Sequence, residues 1–265
     1  GDVIPCRWNS QTPLDKNVLD KVDTVFHLAG ESVFNGRWNE ARKQQIMDSR
    51  LLGTRNLIAS LAALDRPPAV LVCASAIGYY GPSGDEPLRE DSPPGADFLA
   101  RVCQAWEDEA RQAEQLGIRV VSVRIGVVLG RDGGALPQML LPFKLGLGGR
   151  IGSGRQYMSW IHIDDLVAIL LHTATASDIR GPVNATAPRA VTNREFTAAL
   201  AEVLRRPAFL AVPALVLRVT LGEFAEVLLG SQRVVPEKIL QAGYSFRYPE
   251  LKGALHDLLG KGNGV

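Results

Sequence analysis

The residues of this chain that could do chemistry fall into two groups. The first lies in Gly146–Val167, GLGGRIGSGRQYMSWIHIDDLV. Its glycines let a backbone approach a ligand closely. Arg150 and Arg155 bring two cations to the same loop, a setting for an anionic group, and Gln156, Tyr157 and Trp160 add polar and aromatic surface beside them. Asp164 stands where it can cap a helix carrying Leu166, Val167, Ile169, Leu170 and Leu171. A surface loop leading into a capped helix has the same composition. The second group is Ser75, Tyr79 and Tyr80, just after an apolar run. Their hydroxyls can donate a proton or orient a substrate; equally, a tyrosine can pack its ring between two lobes and a serine can satisfy a strand end. His162, in an apolar run, reads as a satisfied structural histidine in preference to a proton carrier. Arg124 reads as the partner of an acid. No His, Cys, Asp or Glu grouping has metal-ligand spacing and no G-x-S-x-G elbow occurs, so neither a metal centre nor a serine-hydrolase site is expected.

The elements that must hold these residues alternate between strand and helix patterns. Val25–Leu28, Ala69–Cys73 and Ile118–Arg124 are apolar runs followed by small residues. Between them lie two helical stretches, about residues 40–64 and 98–116, the second followed by Gly117 as a C-cap. Strands separated by long helices predict a parallel sheet with crossover helices, and ligands of such sheets sit beyond the strands' carboxyl ends. Gly30 and Glu31, Ser75–Gly81 and Gly126–Gly130 occupy those positions. The Pro/Gly-rich stretch Gly81–Gly95 is long enough to act as a lid. Pro182–Ala185 reads as a late strand, Asn193 as the cap of a helix through Leu204, and Pro236 and Pro249 as helix starts. The expected division is residues 1–181 as a Rossmann-like domain and 182–265 as a smaller, mostly helical lobe, with part of 140–165 lining the cleft; Gly260–Val265 reads as frayed.

With 265 residues the chain can bury a sizeable core. Its net charge of +1 offers no field for nucleic acid or an acidic membrane. No apolar run has the length of a membrane span. Cys6, Cys73 and Cys103 form no even framework, which fits a reducing compartment, the cytoplasm. The expected partner is a small-molecule substrate; oligomeric state is not legible.

Six strings occur in order: HLAGE (27–31), ASAIGYYG (74–81), RIGVVLGRDGG (124–134), LLPFKLGLGGRIGSGRQYMSWIHIDDL (140–166), GPVNATAP (181–188) and SQRVVPEKILQAGYSFRYPEL (231–251). Together they resemble the epimerase-like, atypical extended short-chain dehydrogenase/reductase family, whose bacterial members are called sugar-nucleotide epimerases or cell-division inhibitors and whose animal members are the 39U type. The resemblance covers essentially the whole chain. It implies an α/β fold, a Rossmann-like doubly wound parallel sheet with a smaller, mostly helical C-terminal lobe. It also implies a nicotinamide cofactor, NADP (NADPH) ahead of NAD. By the same resemblance Leu28, Ala29, Gly30, Glu31, Arg50, Ala74 and Arg124, Ile125, Gly126 and Val127 would lie near the dinucleotide. Arg150, Arg155, Gln156, Tyr157 and Trp160 would line the substrate wall.

Two departures from the family pattern bear on function. The G-x-x-G-x-x-G unit that opens the family does not occur here, and Gly1–Pro5 resembles the strand that normally follows it. The expectation is a fragment, or a further N-terminal segment; the alternative is a chain that has lost the unit. The second departure is at the tyrosine–lysine pair that carries proton transfer in the wider superfamily. Phe98 or Leu99 stands at the tyrosine, Val102 or Cys103 at the lysine, and Arg50 at the usual asparagine. Of the usual set only Ser75 has a counterpart, leaving Ser75, Tyr79 and Tyr80 as the catalytic candidates. Two functions stay open: an NADP-dependent oxidoreductase or epimerase acting on a small or nucleotide-linked polar substrate, and a non-catalytic NADP(H)-binding sensor.

Overall fold

Four parallel strands organise the molecule. A computed structural model describes residues 3–34 and 36–260. The central sheet is formed by β1 (Thr24–His27), β2 (Val70–Ala76), β3 (Arg119–Ile125) and β4 (Gly181–Ala185), hydrogen-bonded in that order. The crossovers are α1 (Glu40–Ala62), α2 (Phe98–Arg111) and α3 (Ile163–Thr175). This is the Rossmann-like parallel architecture expected from the alternating pattern.

The sheet is covered on both faces, which is why its strands read as nearly unbroken apolar runs. Leu71 and Cys73 of β2 point to one side, where Leu57 and Leu61 of α1 and Trp106 and Ala110 of α2 meet them. Val70 and Val72 point to the other, against Leu166, Ile169 and Leu170 of α3. Such two-residue alternation along one strand is the pleat read twice. Each crossover helix starts at a side-chain cap. Asn39 accepts a hydrogen bond from the Arg42 amide and Asp97 from the Ala100 amide. One 3-10 stretch, Gln112–Leu116, extends α2 before Gly117 turns the chain at φ +78.

Five expectations shift. Pro182–Ala185, expected in the small lobe, belongs to the fourth strand of the central sheet, because Val183 and Ala185 complete the core under α3. Asp164 does not cap α3. His162 does, its Nδ1 accepting from the Asp164 amide at 3.1 Å, while Asp164 already sits in the first turn, where its charge faces the positive helix end. Likewise Thr192, reciprocated by Glu195, caps the helix Asn193–Leu204 in place of Asn193. The Gly81–Gly95 stretch is tied down: Gly95 N–H bonds to the Tyr79 carbonyl, and Ser83 N–H to that of Ser231. Val3–Pro5 forms no strand; Gly1, Asp2 and residues 261–265 lie outside the described residues.

The small lobe has its own core. Trp160 is 1% exposed among Leu136, Phe196, Leu200 and Leu255. Asp165, buried at the start of α3, accepts from Tyr244 Oη and from the Arg247 and Tyr248 amides, which fastens the chain before the last helix, Leu251–Leu259. A short arm, the helices Ala214–Leu221 and Ala225–Leu229, swings back toward the sheet. Its Phe224 meets Phe34 and Trp38 with ring centroids 5.5 and 5.6 Å apart. Among the described residues no helix is long and apolar enough to cross a membrane.

Candidate active-site cleft

A cleft of about 880 Å³ opens beyond the carboxyl ends of the central strands, where parallel sheets carry their ligands. Its floor is the carboxyl ends of β2 and β3 with the chain that follows them: Ala74 to Gly78, and Ile125 to Val128. One wall is α2, presenting Phe98, Leu99, Val102, Cys103 and Trp106. Opposite, Glu223, Glu226 and Val227 arrive from the arm. Gly126 is needed at the floor, because a Cβ there would stand 2.7 Å from the Ser159 carbonyl oxygen and 2.9 Å from Thr186 Cγ2.

Beneath the floor runs a buried polar network. Arg124 of β3 donates from Nε and Nη2 to the two oxygens of Glu107 on α2, at 2.8 and 2.9 Å. This fork-to-fork geometry is the strongest form an ion pair takes. Ser75 donates its hydroxyl proton to the same carboxylate at 2.7 Å. Arg124 Nη1 donates to Tyr80 Oη at 3.0 Å and to the Glu90 carbonyl at 3.1 Å. Tyr80 in turn donates to Asn184 Oδ1 at 2.7 Å. Glu90 Oε1 accepts from the Asn184 and Lys238 amides. Arg124 Cζ stands over the Tyr79 ring, 3.4 Å from its centroid. Burial works against the Arg124 charge, yet the hydrogen bonds and attraction of Glu107 outweigh it and raise its pKa. Burial pushes the Tyr80 phenol up to about 12 and the Cys103 thiol to about 12, so both keep their protons at neutral pH.

These contacts sort the sequence candidates. Ser75, Arg50, Ala74, Ile125, Gly126 and Val127 line the cleft together. Leu28 is exposed and Gly30 backs the Arg50 guanidinium; Ala29 lies between them in the loop after β1. Glu31 pairs with Arg42 at 2.8 Å and lends its carbonyl to Arg50. Tyr80 and Arg124 lie behind the floor, held by the network, and Tyr79 is their packing partner. Of the substrate-wall group none lines the cleft. Arg150 bonds to the Ser153 carbonyl and Arg155 N–H to Ser153 Oγ. Tyr157 pairs with Thr192 across a short two-stranded ladder. Trp160 fills the small-lobe core and donates to the Arg189 carbonyl. Gln156 alone reaches toward the site: buried, it donates to the carbonyls of Ile151 and Leu228 and so anchors the arm beside Val227.

Sequence reasoning missed Glu107, Asn184 and the arm. A signal for Glu107 existed. On α2 it follows Cys103 by four residues and precedes Ala110 by three, an acid on the buried stripe, and a buried acid requires a buried partner. Asn184 and the arm carried no such signal, since Asn184's partners are 51 to 104 residues away and the arm meets the site from across the cleft.

The comparisons with known proteins agree with this architecture. The NAD dependent epimerase/dehydratase family matches residues 2–185, and a domain of unknown function matches residues 212–258. The chain is similar to the epimerase family protein SDR39U1 of Mus musculus, 44% identical, over 93% of this chain and 85% of the relative. It is 39% identical to the epimerase family protein YfhF of Bacillus subtilis, over 96% of this chain and 83% of that one. Among solved structures it resembles human epimerase family protein SDR39U1 (isoform 2) with NADPH. That likeness has a TM-score of 0.87 and 39% identity, over 95% of this chain and 85% of the other. A nucleoside-diphosphate sugar epimerase from Corynebacterium glutamicum follows with a TM-score of 0.77 and 34% identity, over 96% of this chain and 49% of that one.

Proposed function

Because the chain belongs to the NAD dependent epimerase/dehydratase family, we propose that it binds NADP(H) in the cleft and acts as an oxidoreductase or epimerase on a small or nucleotide-linked polar substrate. The observation that carries this reading is the likeness to a relative solved with NADPH, taken with a cleft of about 880 Å³ at the strand ends. The residues present suit such a group: small backbone-rich floor segments at Ala74 and Gly126, and the cation Arg50 at the rim. NADP is preferred to NAD on the strength of that relative. A bound nicotinamide would supply the hydride. The protein's part is to position the substrate, keep water out and handle the proton. Ser75 has committed its hydrogen to Glu107. Toward the cleft it offers lone pairs, and it meets a ligand hydroxyl as acceptor. The apolar α2 wall excludes water from the same space. The three free thiols suit the reducing cytoplasm.

A second reading, a non-catalytic NADP(H) sensor, is favoured by one observation. Phe98, Leu99, Val102 and Cys103 face the cleft without an ionised group among them; by the family resemblance Phe98 or Leu99 would stand for the tyrosine and Val102 or Cys103 for the lysine. Titration of the protein with NADPH, followed by fluorescence, tests the shared premise: saturable binding is expected, and its absence refutes both readings. NADPH oxidation coupled to stoichiometric product across a panel of carbonyl compounds supports the enzyme; binding without turnover supports the sensor.

A further inference from the structure

Arg50 is a cation with a free edge. It lies on α1 and lines the cleft. Its Nη1 donates to the Glu31 carbonyl at 3.0 Å, to the Ile46 carbonyl at 3.1 Å and toward Ser49 Oγ at 3.4 Å. Its Cζ stands 5.0 Å over the Trp106 ring. Gly30 gives it room, since a Cβ there would come within 3.2 Å of Cζ. One edge of the guanidinium is thus fixed against backbone and indole. Among the described residues the other edge, Nε and Nη2, has no hydrogen-bond partner, and no carboxylate lies within ion-pair distance. The acid whose charge it feels, Glu31, is held by Arg42.

An unpaired cation against an apolar wall is costly. Burial lowers its pKa, the mark of a charge that loses hydration without gaining a counter-ion. Arg124, the other guanidinium in this layer, is fully paired. Fixed cations without partners are kept where a ligand supplies the missing charge. A guanidinium edge with two parallel donors matches the paired oxygens of a carboxylate or phosphate.

We propose that Arg50 is the oxyanion-binding residue of this cleft, its Nε–Nη2 edge receiving a phosphate or carboxylate of the bound ligand. The site rests on the cleft reading above, but not on the ligand being a dinucleotide. The oxyanion comes either from the cofactor or from the substrate, and the two are separable by experiment. In 15N-labelled protein the Arg50 Nε–H signal is assigned by its loss in Arg50→Lys. The probes are NADPH, inorganic phosphate and malonate, the last two added with and without NADPH. The expected result is a saturable shift of that signal, and affinity for the active probe lowered roughly tenfold or more in Arg50→Met. A response to NADPH itself assigns the cofactor as source; a response only to phosphate or malonate assigns the substrate. Protein that does not bind NADPH but still binds phosphate at Arg50 overturns the dinucleotide reading and keeps this one. No shift with any probe, or unchanged affinities in Arg50→Met, overturns the proposal. Should Arg50→Met fail to fold, Arg50→Lys decides: it keeps a point charge but loses the fork, so affinity must still fall severalfold.

Discussion

Replacing Glu107 by glutamine tests the network under the cleft floor most directly. The Arg124 and Glu107 side chains are 3% and 4% exposed and share two hydrogen bonds of 2.8 and 2.9 Å. Glutamine keeps the shape but removes the charge, and its one oxygen cannot serve Nε, Nη2 and Ser75 together. Arg124 is then a buried cation without a counter-charge. Breaking such a pair from one side costs about 3–5 kcal/mol. At roughly 2–4 °C per kcal/mol for a protein of this size, the melting temperature falls by about 6–20 °C. Arg124→Met alone strands the carboxylate and should cost about as much. The double variant, Arg124→Met with Glu107→Gln, removes both charges and leaves neutral groups short of a donor, Tyr80 Oη and the Glu90 carbonyl, at about 1–3 kcal/mol each. Urea unfolding of the three variants gives the coupling energy, expected to exceed about 2 kcal/mol. Additive single costs within about 0.5 kcal/mol, or a Glu107→Gln cost below about 1 kcal/mol, would refute the reasoning.

Two further outcomes follow from the same layer. Tyr80→Phe deprives Asn184 Oδ1 of its donor and should cost about 1–3 kcal/mol of stability while leaving NADPH affinity unchanged, because Tyr80 lies behind the floor; an unaltered melt, or a lost cofactor, contradicts its placement. His27, buried against Thr54 Oγ1 at 3.0 Å, has its pKa lowered by burial to about 4. The unfolded chain takes up this proton near pH 6.5 and the folded chain does not until about pH 4. Its stabilisation is full above that upper value and is lost as pH falls through the window, about 2 kcal/mol between pH 7 and pH 5. His27→Gln should remove that much of the pH dependence in urea melts, and an identical slope in wild type and variant would show that His27 does not titrate as described.

The parallel sheet and its ligand-bearing edge were legible in the order of residues. Apolar runs of the length of β1, β2 and β3, separated by capped helices, admit essentially one arrangement, because connections that cross between parallel strands are long and share one hand. That arrangement puts Ser75 and Gly126 at the strands' carboxyl ends, and both line the cleft. The RIGSGRQYMSW segment was a different case. Its residue types suited a ligand wall, but whether Trp160 faces a cleft or a core depends on what packs against it. Phe196 and Leu255, which bury it, come from helices 36 and 95 positions later. Charge pairing was undetermined for the same reason. Arg124 read as the partner of an acid, and only the packing of α2 on β3 chose Glu107, while Arg50, equally basic, was left with an edge open. Local patterns fix which backbone a segment forms. Which side chain meets which is decided by distances in space that the order of residues does not contain.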